Sequence, residues 1–163
     1  MNSLNQLVVF YLDEHRYALK LSTVERIVRV VEVIPLPKAP DIVMGVVNVQ
    51  GRIIPVLNIR KRFGLPEREI YLSDHLIIAQ TSNRSVALLA DMVSGVIEYP
   101  EQEKATLDTI FPGIEYVEAI IKQEEGMIQI INLDTILSAE VAKSMEDGMK
   151  ETPGDKNDNQ NFR

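Results

Sequence analysis

Short runs of β-branched and aliphatic residues, separated by turn-forming residues, recur along most of this chain. The clearest pair lies at 46–49 and 53–59, on either side of the dipeptide Gln50-Gly51. Both runs are too short for helices, and glycine at the second central position of a tight turn accepts a positive φ at little cost. The pattern predicts a β-hairpin with much of both strand faces covered. Pro55 cannot donate a backbone hydrogen bond, so its strand is expected at a sheet edge or at a bulge.

Similar runs lie before the hairpin. Residues 7–12 and 17–21 predict two further strands, joined by a polar turn at 13–16. After the hairpin, residues 60–63 predict a single helical turn, which Gly64 ends at its C-terminus. The first half of the chain is therefore read as short strands with little helix.

One further helical turn is predicted between the first strands and the hairpin. Ser22 stands three residues before Glu25, which is the spacing of a capping box. The buried stripe of this turn would consist of Val24, Ile27 and Val28.

The second half of the chain repeats the order of the first. A shift of 69 positions superimposes 7–9 on 76–78, and a shift of 74 superimposes 56–59 on 130–133. Each unit, of about 65 to 70 residues, is too small to bury a comfortable core alone, so the two are expected to share one. The predicted fold is mainly β: two pseudo-symmetric five-stranded barrels around a common core, with short helical turns and a C-terminal helix.

Domain boundaries follow from this repeat. The expected division is a single domain over 1–147, made of barrel one at about 13–74, barrel two at about 75–133 and a helix at about 134–146. The first strand, at 7–12, is a candidate to cross over into barrel two. Residues 148–163 are too polar to pack and are expected to form a disordered tail.

Composition excludes several classes of function. The net charge of -7 argues against binding to polyanions, because neutralising phosphates takes clustered Lys and Arg. The cluster Arg60-Lys61-Arg62 is read as a solvated face. With no cysteine, disulfides and thiolate sites are excluded. No signal peptide or membrane-spanning run is visible, so residence in the cytoplasm without membrane insertion is expected.

The sequence contains no recognisable catalytic, cofactor-binding or metal-binding motif. His15 and His75 are its only histidines, they do not superimpose in the repeat, and each sits at the polar edge of a predicted strand. No nucleophile elbow and no glycine-rich phosphate loop are present. The expectation is therefore a protein without catalytic residues, cofactor or metal, which acts by binding other proteins at edge strands and at an apolar crevice between the barrels.

Three stretches carry a family resemblance. They are Gly-Val-Val-Asn-Val-Gln-Gly-Arg-Ile-Ile-Pro-Val-Leu-Asn-Ile at 45–59, Val-Ala-Leu-Leu-Ala-Asp-Met-Val-Ser-Gly-Val at 86–96 and Ile-Gln-Ile-Ile-Asn-Leu-Asp-Thr-Ile-Leu at 128–137. Together they resemble the CheW family of chemosensory adaptors, over roughly 7–137. The resemblance implies two SH3-like barrels and a non-catalytic scaffold that couples the cytoplasmic tip of methyl-accepting chemoreceptors to a CheA-type histidine kinase. It also implies recruitment to membrane-attached receptor arrays.

The resemblance implies two binding surfaces. On the receptor side it places Val24, Arg26, Ile27, Gly45, Asn48 and Gln50. On the kinase side it places Ile34, Pro35 and Ile42. Core packing is the competing interpretation for each apolar member of the two sets.

This chain departs from the family pattern at three positions. Relatives pair a Glu on the short helical turn with an Arg at the hairpin tip, where this chain has Arg26 and Gln50. Glu25 is adjacent but points elsewhere on a helical turn and does not substitute automatically. Asn58 stands where the family usually has Asp. Because interface charges set specificity more than affinity, an altered receptor or kinase preference is expected.

Other functions stay open at this point. One is a diverged CheW-like adaptor for another two-component pathway, such as motility or gene regulation. A more distant one is a nucleic-acid-binding β-barrel, which the acidic charge and 6% aromatic content disfavour. A CheV-type relative with a receiver domain is not expected, since the residues after Glu146 leave no room for one.

Overall fold

The computed structural model describes residues 4–100, 104–105 and 116–137. Its strands are β1 (Leu4–Leu12), β2 (His15–Lys20), β3 (Val24–Arg29), β4 (Val43–Val49), β5 (Arg52–Leu57), β6 (His75–Gln80), β7 (Ser85–Ala90), β8 (Met92–Pro100), β9 (Lys104–Ala105), β10 (Val117–Gln123) and β11 (Gly126–Ile131). Its helical segments are a 3-10 turn (Leu21–Thr23), α1 (Ile59–Arg62) and α2 (133–137). None of these helices is long and apolar enough to cross a membrane. The rest of the helix predicted at 134–146 and the tail at 148–163 lie outside the described residues.

The strands form two sheets of closely similar topology. One has the order β3-β6-β7-β5-β4 and the other β8-β1-β2-β11-β10-β9. Ile34 closes the first sheet into a barrel, because it exchanges two backbone hydrogen bonds with Val46 of β4, at 2.8 and 2.9 Å. β9, the next strand after β8, pairs with β10 in the same relative position. The predicted mainly β fold with two small SH3-like barrels is confirmed.

The two repeats exchange their hairpins. β1–β2 pairs with β8 and, in parallel, with β11 of the second repeat. β6–β7 pairs in the same way with β3 and β5 of the first repeat. The first strand thus joins the sheet of the second repeat, as suggested, and β2 joins it as well. The hairpin β6–β7 of the second repeat joins the sheet of the first repeat. The predicted division at 74/75 does not separate the sheets, because a sequence shift identifies equivalent strands without saying which copies pair.

The exchanged hairpins are buried on both faces. In β6, Leu76 and Ile78 point into the interior of their own barrel, while Ile77 and Ala79 point into a core that the two barrels share. This shared core includes Phe10, Leu12, Tyr17, Leu19, Ile42, Leu57, Ile59, Val86, Leu88, Ala90, Ile131, Leu133 and Ile136. Because each fully buried Leu or Ile stabilises the fold by about 1.5–3 kcal/mol, this core binds the barrels to each other.

The central hairpin is covered on both faces at its base, where Val56 and Leu57 are buried in different cores, and on one face near its tip. Its turn is the predicted Gln50-Gly51, with Val49 paired to Arg52, but Ile53 remains 63% exposed. The expectation that much of both faces is covered is met at the base of this hairpin but not at its tip, whereas β6–β7 is covered along most of its length. The reason is position: β4–β5 lies on the outer side of its barrel, whereas β6–β7 lies between the barrels.

Pro55 lies in an interior strand, contrary to expectation. β5 is flanked by β4 and β7, but its pairing with β7 begins only at Val56. On the other side Pro55 faces Val46, whose own N–H and C=O bond to Ile34 instead. The proline nitrogen therefore occupies a position where neither neighbour requires a donor.

The predicted helical turn after Ser22 is wrong. Only Leu21–Thr23 forms a 3-10 turn, and Val24, Ile27 and Val28 belong to strand β3, paired with β6. A ladder with a buried strand satisfies more backbone groups than an isolated turn, and β-branched residues suit it. The predicted turn at 60–63 is observed as α1, with Gly64 at φ 71° after its end.

Candidate protein-binding surface

The tip of the β4–β5 hairpin is a two-residue turn with a fixed shape. Gln50 and Gly51 both have positive φ, 53° and 88°, as a type I′ turn requires. The Asn48 side chain accepts a hydrogen bond from the Gly51 N–H at 2.8 Å. Asn48 and Gln50 are exposed, so this tip presents polar groups on a rigid backbone.

Arg26 and Gln50 meet across the end of the barrel. Arg26 Nη1 on β3 donates to Gln50 Oε1 at 2.7 Å, and both side chains are exposed. The two positions singled out in the sequence are therefore in contact. The contact joins a guanidinium to a neutral amide, so it leaves the positive charge in place.

Glu25 has its own partners. Its two carboxylate oxygens accept from Arg52 Nη1 at 3.1 Å and from Ser85 Oγ at 2.7 Å, and Arg52 Nη2 donates to Ser85 Oγ at 2.8 Å. The hydrogen bond from Ser85, and after it the one from Arg52, holds the pKa of Glu25 below its ordinary value. Sequence reasoning missed Arg52 as a partner, although it follows the hairpin turn directly.

Exposed apolar side chains occupy equivalent positions in the two repeats. Ile27 of β3 is 39% exposed and pairs with buried Ile77, and its repeat equivalent Val96 of β8 is 52% exposed and pairs with buried Val8. Val24, half-buried, packs against the shared core. Val24 and Ile27 therefore differ in exposure, and their assignment to the receptor side stays a prediction.

Gly45 and Ile42 are buried. A Cβ on Gly45 would lie 2.3 Å from the backbone oxygen of Ile34, so the glycine permits the close approach of residues 34–35 to β4. Ile42 is 1% exposed in the shared core, and its carbonyl accepts from the Asn58 N–H. Neither residue is at the surface, so any effect of these two positions on partner binding would pass through the segment or core that they support.

The other two residues of the suggested kinase side are accessible. Ile34 is 50% exposed and Pro35 is exposed, on the extended segment that closes barrel one. Val31 and Leu36 on the same segment are 43% and 45% exposed. The segment presents an apolar edge that is separate in sequence from the hairpin tip.

A network of five charges joins the connections between strands, and no local sequence pattern predicts it. Arg60 Nη2 contacts Asp13 at 2.9 Å and Asp91 at 2.7 Å, and Arg68 Nη2 contacts Asp74 at 2.8 Å and Asp91. Arg60 is only 8% exposed, so its interpretation as part of a solvated basic face is wrong. The partners are far apart in sequence, and no local pattern indicates them.

The central carboxylate of this network is stabilised in its charged form. Burial acts to raise the pKa of Asp91, but the Asp13 N–H and the guanidiniums of Arg60 and Arg68 outweigh it, so the pKa lies below its ordinary value. Every charged group here has a partner, and the network serves to fix loops. In the described residues, no group of three or more His, Asp or Glu could hold a metal ion.

Two interlocked SH3-like barrels with exposed apolar side chains and a polar hairpin tip are the features of a protein-binding scaffold. The CheW-like domain family model matches residues 6–141, and the chain belongs to this family. It is 28% identical to chemotaxis protein CheW of Treponema pallidum over 82% of each chain. It is also 28% identical to chemotaxis protein CheW of Bacillus subtilis, over 85% of this chain and 90% of that one. The crystal structure of the scaffolding protein TtCheW from Thermoanaerobacter tengcongensis matches with a TM-score of 0.70 and 31% identity, over 78% of this chain and 88% of that one.

Proposed function

We propose that this chain is a non-catalytic adaptor of chemosensory signalling, which couples chemoreceptors to a CheA-type histidine kinase. The observation that carries the proposal is the family match over residues 6–141. The similarity to a structure described as a scaffolding protein, at 31% identity, supports it. The adaptor would work in the cytoplasm, at the membrane-attached arrays that receptors form.

The mechanism is the holding of partners at a fixed spacing. The shared core and the five-charge network join the two barrels, so a partner bound to one is positioned relative to a partner bound to the other. Such a scaffold performs no bond-breaking step. What it determines is the relative position of the bound partners, which is maintained because strands buried on both faces are closely packed.

The receptor side is proposed at the hairpin tip and the adjoining crevice. Val24, Arg26, Ile27, Asn48 and Gln50 form this surface. The tip of a receptor is a helical hairpin, and an amphipathic helix binds by laying its apolar stripe into a groove such as the crevice. Exposed Ile27 supports this placement.

The kinase side is proposed on the segment that closes barrel one. Ile34 and Pro35, with Val31 and Leu36 beside them, form its apolar edge. Buried Ile42 and Gly45 act indirectly, because they set the position of this segment against β4.

Affinity purification of the full chain from its native cell tests the proposed function. We expect a CheA-type kinase and chemoreceptors to co-purify, and deletion of the gene to abolish receptor control of that kinase. Recovery of a kinase that controls gene expression or surface motility would assign the chain to a diverged pathway. Recovery of no histidine kinase, with kinase control intact in the deletion strain, would overturn the proposal.

A further inference from the structure

Among the described residues, Arg26 has a neutral hydrogen-bond partner, and its charge acts on Glu25 only as a minor cause of the lowered pKa of that carboxyl. Its hydrogen-bond partner is the neutral amide of Gln50, at 2.7 Å. The adjacent carboxylate, Glu25, already accepts from Arg52 and Ser85. The side chain is exposed, so its remaining N–H groups face outward.

The hairpin end therefore carries a local charge opposite to that of the whole molecule. One carboxylate, Glu25, and two guanidiniums, Arg26 and Arg52, leave one unbalanced positive charge on a chain with a net charge of -7. A single such charge does not form the basic track that nucleic-acid phosphates need. It is suited to one carboxylate on a protein partner.

An exposed apolar residue follows each of the two arginines in sequence. Ile27, the next residue after Arg26, is 39% exposed, and Ile53, the next after Arg52, is 63% exposed. The hydrogen bond that Arg26 donates to Gln50 holds the guanidinium at the hairpin tip and leaves its charge in place, which lowers the cost of ordering the side chain when a partner binds. A charge-assisted hydrogen bond is stronger than one between neutral groups, and charge complementarity adds selectivity.

We propose that Arg26 selects the partner. The surface binds a helix of the chemoreceptor tip that carries an Asp or Glu beside its apolar stripe. The carboxylate of this residue pairs with Arg26. This inference rests on the proposed adaptor function and adds the chemistry of the receptor face. Receptors with a basic residue at that place are rejected, because two like charges would be brought together in a desolvated contact.

The test measures binding of the full chain to the purified cytoplasmic fragments of the chemoreceptors encoded in the same genome. We expect Arg26→Gln to weaken binding about tenfold and Arg26→Glu by more, and an Asp or Glu to Arg change in the receptor tip to restore Arg26→Glu. Arg29→Glu, an equal charge reversal at an exposed position on the same strand, is the matched control and should change binding less than about threefold.

A second variant separates charge selection from loss of folding. Gln50→Glu places a carboxylate against Arg26 inside the molecule, so it should keep or raise thermal stability while it weakens receptor binding about tenfold. Three results would each overturn the inference while leaving the adaptor function in place. The first is unchanged receptor binding by Arg26→Glu and Gln50→Glu, and the second is an equal loss of receptor binding in Arg29→Glu. The third is that no charge change in the receptor tip restores binding by Arg26→Glu. If the unmodified chain binds no receptor fragment and recovers no kinase, the proposed function fails, and the inference fails with it.

Discussion

The two repeats make equivalent backbone contacts at the start of the helix that follows their central hairpin. The N–H of Asn58 bonds to the carbonyl of Ile42, and its repeat equivalent Asn132 bonds to that of Tyr116, at 2.6 and 2.8 Å. Both asparagines also accept a hydrogen bond from the first turn of the helix that follows, Asn58 from Lys61 and Asn132 from Thr135. The asparagine at 58 therefore performs the same capping role as its counterpart, and the scaffold is conserved between the halves of the molecule.

The side chains at the helix–hairpin contacts differ. In the first repeat Arg60 reaches Asp13 in the turn of β1–β2, with Asp91 as a further partner. In the second, the equivalent Asp134 accepts one hydrogen bond from the N–H of Ser82, in the turn of β6–β7, at 2.7 Å. The same geometric task is performed once by a buried ion network and once by a single hydrogen bond at the surface.

The hairpin tips differ in charge. The first tip carries Gln50 beside Arg26, whereas the second carries Glu124 and Glu125, with Glu125 81% exposed and 3.4 Å from Arg16. Equivalent tips of opposite character can bind different partners on one scaffold. The comparison shows that the fold depends on the repeated apolar positions, while partner choice can vary at the tips.

The largest effects are expected where the repeats are alike. Leu19→Ala and Leu88→Ala remove equivalent side chains from the shared core, 2% and 0% exposed, and each should lower the free energy of unfolding by about 2–5 kcal/mol. Urea denaturation of the two variants measures this. Ile53→Ala, at an exposed position, is the control and should change stability by less than about 0.5 kcal/mol. A large difference between the two leucines would mean that the barrels do not share the core equally.

A smaller and unequal effect is expected at the helix–hairpin contacts. Arg60→Ala leaves Asp13 and Asp91 with one partner fewer, and because both are partly exposed the cost should be about 2–3 kcal/mol. Asp134→Ala removes one exposed hydrogen bond and should cost about 1 kcal/mol. Thermal unfolding compares them, with Lys61→Ala as a charge-matched surface control. Equal losses in the two variants would contradict the distinction drawn between the contacts.

The smallest effect is expected on the loss of folding stability at acid pH. Since the pKa of Asp91 is lowered in the folded protein, its charged form contributes stability above the unfolded-state pKa of about 3.9, and that contribution is lost as pH falls through the folded value. Asp91→Asn should therefore flatten the loss of stability below about pH 4, relative to the unmodified chain. Urea denaturation at a series of pH values measures the slope, with exposed Asp41→Asn as the control. A slope equal to that of the unmodified chain would show that Asp91 does not carry this dependence.

Local patterns predicted the repeat, the central turn and α1, because each depends on residues close in sequence. Local patterns gave wrong predictions where the conformation or burial of a residue is determined by segments distant in sequence. The spacing of Ser22 and Glu25 indicated a helix, but pairing with β6 made 24–29 a strand. Arg60 was read as solvated because its partners lie 47 and 31 residues away. At the candidate surface, the resemblance paired positions 26 and 50, and their side chains are in contact. The burial of Ile42 could not be predicted locally, because it depends on a core that both repeats build.

The reciprocal exchange of hairpins has a consequence for how the protein is made. The first hairpin to leave the ribosome has two apolar faces, and its parallel partner in the pairing of Arg16 with Ile128 is more than a hundred residues further along. At translation rates of about 5–20 residues per second, it waits about 5–20 s for that strand. Until then the apolar faces of β1–β2 lack their partner strands, and a gene cut at its middle would yield two fragments that each lack the strands needed to finish a barrel.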